Sequence, residues 1–341
     1  MRKYVLCTYF DHRYILQGLA LISSIREHNG HDPIWVLCMT DECHRVLASL
    51  KLVGVELVRP SEVELAYPDL VTAKGNRSVL EYYFTMTPHL IQYVFSRAVE
   101  ASTVVYLDAD LFFFDDINNA FDLVGDSPVA IVPHNFSRGR QAQARHGQFN
   151  VGWVSFNRSE EGQRTLKWWS DRCAEWCYDY VDEENDRFAD QRYLDMFPQL
   201  SPGACVIRHP GMNLAPWNIA SYRIEVTDGK LRVNGQPLIF FHYHGLKKAY
   251  GIFYCNSHRQ FRAPYSPLIR NAIYRPYVQR LVALARELAS EHRLDGVDKL
   301  KRGVRAKVGF LGHIKRLLLS VVRLADILQG RSIVVLGPRV I

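Results

Sequence analysis

The sequence has no apolar run approaching the ~18 residues that would suggest a membrane-spanning helix. It lacks a glycine-rich loop after its first expected strand, which argues against an ordinary dinucleotide-binding oxidoreductase. Cysteine is sparse and scattered: of seven, only Cys173 and Cys177 lie close together, and no second pair completes a zinc site. Buried free thiols are expected instead. Outside one segment there is no cationic excess either. The formal net charge is +7, but residues 299–331 carry nine Lys and Arg against the single acid Asp326, a local +8, so the remainder sits near −1. A diffuse nucleic-acid-binding surface on the body is thereby excluded. The stretch Met1 to Phe10 starts basic but reaches polar residues and Asp11 at once, so no secretory signal is expected and a cytoplasmic location follows.

What is present reads as α/β. Lys3 to Phe10, Pro33 to Thr40 and Val55 to Val58 are apolar, β-rich runs separated by amphipathic stretches at Ile15 to His28 and Asp41 to Leu50. That order predicts a mostly parallel sheet with crossover helices. Glu62 to Asn76 is polar and reads as an irregular excursion. A helix is expected over Arg77 to Ser96, broken near Thr87-Pro88. Further strands are expected at Pro128 to Pro133 and Phe149 to Asn157, and helices around Ile117 to Leu123, Glu160 to Tyr180 and Glu183 to Phe197. The polar segment Asn135 to Gln148 is expected to form a mobile loop. Asp228-Gly229 marks a small hairpin within Ile224 to Val233.

The most informative stretch is Thr103 to Asp116, in which Val104, Val105, Tyr106 and Leu107 form a short apolar run ending at Asp108-Ala109-Asp110. In extended chain, side chains two apart share a face, so both carboxylates are expected to converge near the strand's carboxyl end, where open α/β sheets bind ligands. Two ionised carboxylates so close repel, and a hard divalent cation neutralises them. The plain alternative is a solvated turn.

Tyr-Leu-Asp-Ala-Asp followed by Leu-Phe-Phe-Phe resembles the metal-binding Asp-x-Asp motif of nucleotide-sugar glycosyltransferases with the GT-A fold. The resemblance implies Mn²⁺ or Mg²⁺ held by Asp108 and Asp110 against a sugar nucleotide's diphosphate. A second motif points the same way. His242, Gly245 and Lys248 reproduce the His-x-x-Gly-x-x-Lys of glycosyltransferase family 8, although Ala249-Tyr250 stands where that family has Pro-Trp. His242 would be the third metal ligand, with His244 on the same strand face as competitor, and Lys248 would neutralise the departing diphosphate. Similarity to family 8 further implies that Thr8, Asp11 and Tyr14 meet the nucleotide, Arg77 (with Lys74 nearby) the diphosphate, and Asn150 the donor sugar. Gly152 would allow close backbone approach there, Asp190 would contact sugar hydroxyls, and Gln191 would lie near the reacting face. Each has an ordinary structural reading too: Asp11 or Asp190 as a helix cap, Tyr14 in the core, Gly152 at a bulge, Arg77 solvated. Asn213 and Trp217 are candidates for an acceptor pocket or for structural packing.

The resemblance implies a metal-dependent glycosyltransferase that moves a sugar from a nucleoside diphosphate, UDP foremost, to a hydroxyl of a glycan or glycolipid, with retention of configuration. A GT-A catalytic domain over 1–265 and a helical extension over 266–341 are expected, the extension including a helix at Pro276 to His292. From about 299 it turns basic and amphipathic, which suits either an anionic membrane surface or packing on a partner. The alternatives are a sugar nucleotidyltransferase, which normally needs a Gly-rich loop missing from Thr8 to Tyr14, and a non-catalytic glycan- or membrane-associated protein.

Overall fold

The computed structural model describes residues 3–249, 252–290, 292, 321, 325–336 and 339–341. The basic amphipathic stretch expected from 299 lies, up to residue 320, outside the described residues. Four strands in the first third, β1 (Tyr4–Phe10), β2 (Ile34–Cys38), β3 (Val55–Val58) and β4 (Thr103–Leu107), pair in parallel in the order β3-β2-β1-β4. Beyond β4 the sheet continues through β7 (Phe149–Asn157), β6 (Val129–Pro133) and β8 (Cys205–Val206), with β7 antiparallel to both neighbours. The result is a mixed, mostly parallel sheet buried between two apolar layers. Strand β1, buried at six of its seven positions, shows why its sequence runs apolar without alternation.

Helices α1 (Ile15–Glu27) and α2 (Asp41–Leu50) form the expected crossovers. Thr40 caps α2 by accepting from the Cys43 amide. Two expectations need correction. The segment read as irregular forms two short helices, α3 (Pro60–Ala66) and α4 (Asp69–Asn76). Its polar residues are start signals: Pro60 opens α3 and the Glu62 carboxylate accepts from the Arg59 amide at 2.8 Å. Nor does Pro88 break its helix, for α5 runs from Val79 to Arg97 without interruption. An interior proline costs about 3 kcal/mol, whereas burying Met86, Leu90, Ile91 and Val94, each at 0 % exposure, returns roughly 1.5–3 kcal/mol per side chain. Burial prevails.

Other boundaries move for local reasons. The helix expected over Glu160 to Tyr180, α7, ends at Glu175, and the segment around Asp190 enters a 3₁₀ turn at Arg192–Met196 rather than a long helix. In the expected loop Asn135 to Gln148, residues Gln141–His146 form another 3₁₀ turn.

After β4 the chain forms β5 (Leu111–Phe113), which pairs antiparallel with β12 (Phe240–His242) so that His242 stands opposite Leu111. The hairpin β9 (Ile224–Thr227) and β10 (Lys230–Val233) turns at Asp228-Gly229. A last sheet joins β13 (Leu246–Ala249), β14 (Ile252–Cys255), β15 (Ser332–Leu336) and β16 (Arg339–Val340). The helix Arg275–Ser290 buries Tyr277, Val278, Leu281 and Leu288. A third core cluster gathers Phe112, Leu214, Phe241 and Tyr243 with Ile273, Tyr277, Ile333 and Val340. No helix among the described residues is long and apolar enough to cross a membrane.

Because Ile333 lies in that shared core at 1 % exposure, Ile333→Ala is expected to destabilise the whole protein by about 2–4 kcal/mol. Urea unfolding followed by tryptophan fluorescence checks this. An unshifted transition would mean that the final strands do not support the core.

Candidate functional site

Strand β4 ends at Leu107, so Asp108-Ala109-Asp110 is a turn rather than extended chain. The Leu111 amide closes it by donating to the Asp108 carbonyl at 3.2 Å. The carboxylates converge because the backbone folds, not because side chains alternate. Two neighbours pin the turn: the Asp108 amide donates to the Gly152 carbonyl at 3.1 Å, and the Tyr243 amide to the Asp110 carbonyl at 2.9 Å. The β5–β12 pairing then delivers His242. Its Nε2 lies 3.0 Å from Asp110 Oδ1 and 3.7 Å from Asp108 Oδ2. One ligand atom from each of the three residues lies within 4.8 Å of the others. His244, expected to share a strand face with His242, does not join them. The strand stops at His242, and the chain turns through Gly245.

The set suits a cation. The Tyr106 hydroxyl donates to Asp108 Oδ1 at 2.9 Å, and Asn213 Oδ1 lies 3.3 Å from His242 Nδ1. An Nδ1–H donated to Asn213 would leave the Nε2 lone pair facing the carboxylates. Two carboxylates and one imidazole match the oxygen-and-nitrogen donor preference of Mn²⁺ and, with water or phosphate filling the remaining positions, of Mg²⁺. The electrostatics show what the three groups do to one another. Burial raises Asp108, with His242 opposing it. Burial would also raise Asp110, but the charge and hydrogen bond of His242 outweigh it and hold Asp110 below the usual carboxylate range. His242 is raised: burial lowers it, but Asp110 and then Asp108 overcome that effect. The imidazole therefore holds its proton to higher pH than an ordinary histidine, and where that proton is bound a cation must displace it.

Gly152 is required by close approach. A Cβ there would come within 2.5 Å of Asn150 Oδ1 and 2.9 Å of His242 Nδ1. The structural reading of this segment holds, since β7 is antiparallel and its register against β6 shifts between Ile131 and Val132. Gly245, at φ +76°, would place a Cβ 2.1 Å from Ser257 Oγ, so its position also demands glycine.

A cavity of about 330 Å³ opens beside Asp110 and is lined by Tyr14, Gly245 and Lys248, with Arg13 and Tyr277. Tyr14 is 46 % exposed, so its ring is not core packing. Asp11 is not the cap of α1. Its Oδ1 accepts from the Arg13 amide at 2.8 Å, and its Oδ2 faces the Tyr83 hydroxyl at 3.5 Å. Thr8 is buried on β1, and its hydroxyl has no partner among the described residues.

The remaining sequence candidates form a second group. Asn150 Nδ2 donates to Gln191 Oε1 at 3.0 Å, and Gln191 Nε2 to the His146 carbonyl at 2.9 Å. Asp190 accepts from the Thr87 hydroxyl at 2.8 Å. Burial, only partly offset by that hydrogen bond and reinforced by Asp108, pushes the Asp190 carboxyl up to about 7. Arg77 stands apart. Its guanidinium donates to Thr85 Oγ1 and to the carbonyls of Cys173 and Ala174 at 2.7–2.8 Å, which clamps α5 to α7. Lys74 pairs with Glu64 at 2.7 Å.

Asn213 and Trp217 lie behind the carboxylate–imidazole cluster: both are buried, and the Trp217 ring packs 5.0 Å from that of His242. Tyr106, His134 and Tyr277 escaped sequence reasoning. Only Tyr106 carried a usable signal, its spacing two residues before Asp108; the other two are brought in by distant chain segments.

Gly152→Ala is expected to weaken Mn²⁺ binding tenfold or more, the range for disturbed ligand support, while leaving the circular dichroism spectrum intact. For the wild type, Mn²⁺ affinity should fall as pH drops below the raised His242 value, by about tenfold per unit for one displaced proton, and level off above it. Isothermal titration calorimetry from pH 6 to 9 measures both effects. A flat profile would exclude His242 as a ligand.

No family model matches the chain. Among solved structures, the galactosyltransferase LgtC, crystallised with donor and acceptor sugar analogs, superposes with a TM-score of 0.50 at 17 % identity over 79 % of this chain and 99 % of its own. That likeness identifies the fold as GT-A. Among sequences, the uncharacterized protein YfnF of Bacillus subtilis (strain 168) is 34 % identical over 249 residues, 71 % of this chain and 81 % of YfnF. YfnD of the same organism is 30 % identical over 246 residues, 72 % of this chain and 78 % of its own. With the GT-A fold and this extent of shared sequence, the chain belongs to the family of YfnF and YfnD.

Proposed function

We propose that the protein is a metal-dependent glycosyltransferase that transfers a hexose from a nucleoside diphosphate, UDP foremost, to a hydroxyl of a glycan or glycolipid. The convergence of Asp108, Asp110 and His242, with Asp110 on the wall of a cavity that Lys248 also lines, carries the reading. Bound Mn²⁺ or Mg²⁺ would supply positive charge to the diphosphate as the sugar departs. Lys248, whose ammonium lies over the Phe253 ring at 5.6 Å, adds a cation on the same wall, so negative charge developing on the leaving group meets preorganised charge and needs no general acid. Gly245 leaves the phosphates room to approach the backbone. Thr8, Asp11 and the exposed Tyr14 ring would receive the nucleoside, Tyr14 by stacking on the base. Arg77, committed to three protein acceptors, is left out of this set.

Asn150, Asp190 and Gln191 are assigned to the sugar. Gln191 is held between Asn150 and His146, and Asp190 is fixed by Thr87, so both are positioned before any ligand arrives. With Gln191 near the reacting face and the departing phosphate assisting attack, the transfer retains anomeric configuration.

UDP-, GDP- and dTDP-sugars should be screened for donor hydrolysis with Mn²⁺. Hydrolysis of a UDP-hexose is expected, abolished by EDTA and by Asp108→Asn, and reduced ~10²-fold or more in kcat by Lys248→Ala, the scale for losing one charge-stabilising group. Turnover that persists in chelator would overturn the metal-dependent reading. An inverted product anomer, read by NMR, would overturn retention alone. Release of pyrophosphate from UTP and a sugar phosphate would indicate a nucleotidyltransferase instead.

A further inference from the structure

Helix α1 contributes Gln17 to the cavity beside Asp110, and the residues just before the helix contribute Arg13 and Tyr14. Most of the buried face of α1 is aliphatic, so a carboxamide there needs a reason. The other polar side chain buried on this helix, Ser24, has one: its hydroxyl donates to the Leu21 carbonyl at 2.8 Å and accepts from the Phe113 amide at 3.1 Å. Gln17 is 8 % exposed, yet its carboxamide makes no hydrogen bond among the described residues. Both carboxamide atoms keep accessible surface, in contrast to the enclosed hydroxyl of Tyr277 in the same cavity wall. A carboxamide so placed has left bulk water without gaining a protein partner, an arrangement that a polar ligand in the cavity would repair.

The charges around Gln17 select an anion. Arg13, Lys247 and Lys248 line the cavity against the one acid Asp110, which itself belongs to the carboxylate–imidazole cluster. Arg13 is exposed, and its guanidinium makes no hydrogen bond or ion pair among the described residues. No side chain caps α1 and its first turn holds no acid, so the positive end of the helix dipole is left uncompensated beside these groups. Arg77, the cation expected at the diphosphate, is committed to Thr85 and two carbonyls elsewhere. A carboxamide N–H and a guanidinium are both donors to phosphate oxygens, and the carboxamide adds its hydrogen bond without adding charge.

We propose that Gln17 is a ligand-binding residue: its carboxamide N–H donates to a phosphate oxygen of the bound nucleoside diphosphate, and the Arg13 guanidinium pairs with the same diphosphate, so the start of α1 is part of the donor site. This inference rests on the glycosyltransferase reading and adds to it a contact from outside the two sequence motifs. It also explains why an otherwise aliphatic helix face retains a carboxamide with no partner in the protein.

The test compares the wild type with Gln17→Leu, which removes the polar atoms, and Gln17→Glu, which keeps the shape but replaces the donor by an anionic acceptor. UDP affinity is measured by calorimetry in Mn²⁺, and Tm is measured without nucleotide. Gln17→Leu is expected to weaken UDP binding about tenfold, the scale of a lost hydrogen bond to a charged group, while the ligand-free Tm stays level or rises. Gln17→Glu is expected to weaken it further, because a carboxylate would face the phosphates. Unchanged UDP affinity in Gln17→Leu overturns the inference, whatever happens to Tm. So does wild-type affinity in Gln17→Glu, which would mean that the side chain accepts from a ribose hydroxyl instead. If the wild type binds no UDP, GDP or dTDP in Mn²⁺, the nucleotide-sugar reading fails and this inference with it, a result distinct from equal binding by wild type and variants.

Discussion

The structure depends on the mutual electrostatics of three side chains, the half-buried Asp108 and Asp110 and the buried His242. Asp108 and Asp110 would repel if both were ionised and alone, and burial amplifies that repulsion. His242 relieves it, with its Nε2 3.0 Å from Asp110 Oδ1. Much of the neighbouring architecture serves to maintain this arrangement. The turn after β4, the pairing of β5 with β12, the bare backbone of Gly152 and the Asn213 carboxamide each fix one of the three groups. A site so constrained has little freedom to adapt, so the cation would enter a preformed set of ligands by displacing a proton.

Around this centre the protein divides its labour by chain segment. The parallel strands and α1 bring Thr8, Asp11 and Tyr14 to one side, and β13 brings Lys248. Residues 149–157 and 187–197 supply Asn150 and Gln191, hydrogen-bonded to each other, and Asp190, which accepts from Thr87. The helix Arg275–Ser290 lines the cavity with Tyr277 and Leu281, and β15 pairs with β14, whose Phe253 also lines it. In the proposed reading, nucleotide, diphosphate and sugar would thus fall to different parts of one fold.

Much of this was legible in the sequence, for identifiable reasons. Val55–Val58, Asp41–Leu50 and Phe149–Asn157 have the expected limits because capping and turn residues or a change in hydrophobic pattern mark their ends. The Asp-x-Asp and His-x-x-Gly-x-x-Lys spacings brought Asp108, Asp110, His242 and Lys248 to notice although more than 130 residues separate Asp108 from His242. The failures come where distant contacts override local signals. Pro88 sits inside an unbroken helix because both neighbouring turns are buried, and Pro60 and Glu62 start a helix that polarity alone disguised. Arg77 carries the charge expected of a phosphate ligand but donates to carbonyls nearly a hundred residues away.

The central claim is that one divalent ion is shared by two groups from the turn after β4 and one from β12. Anomalous diffraction at the manganese edge, from crystals grown with Mn²⁺ and UDP, tests it most directly. The account predicts a single strong peak within coordination distance of Asp108 or Asp110 and of His242 Nε2, with diphosphate oxygens completing the shell. A peak elsewhere, or nucleotide density in the cavity without manganese beside those three side chains, would contradict it.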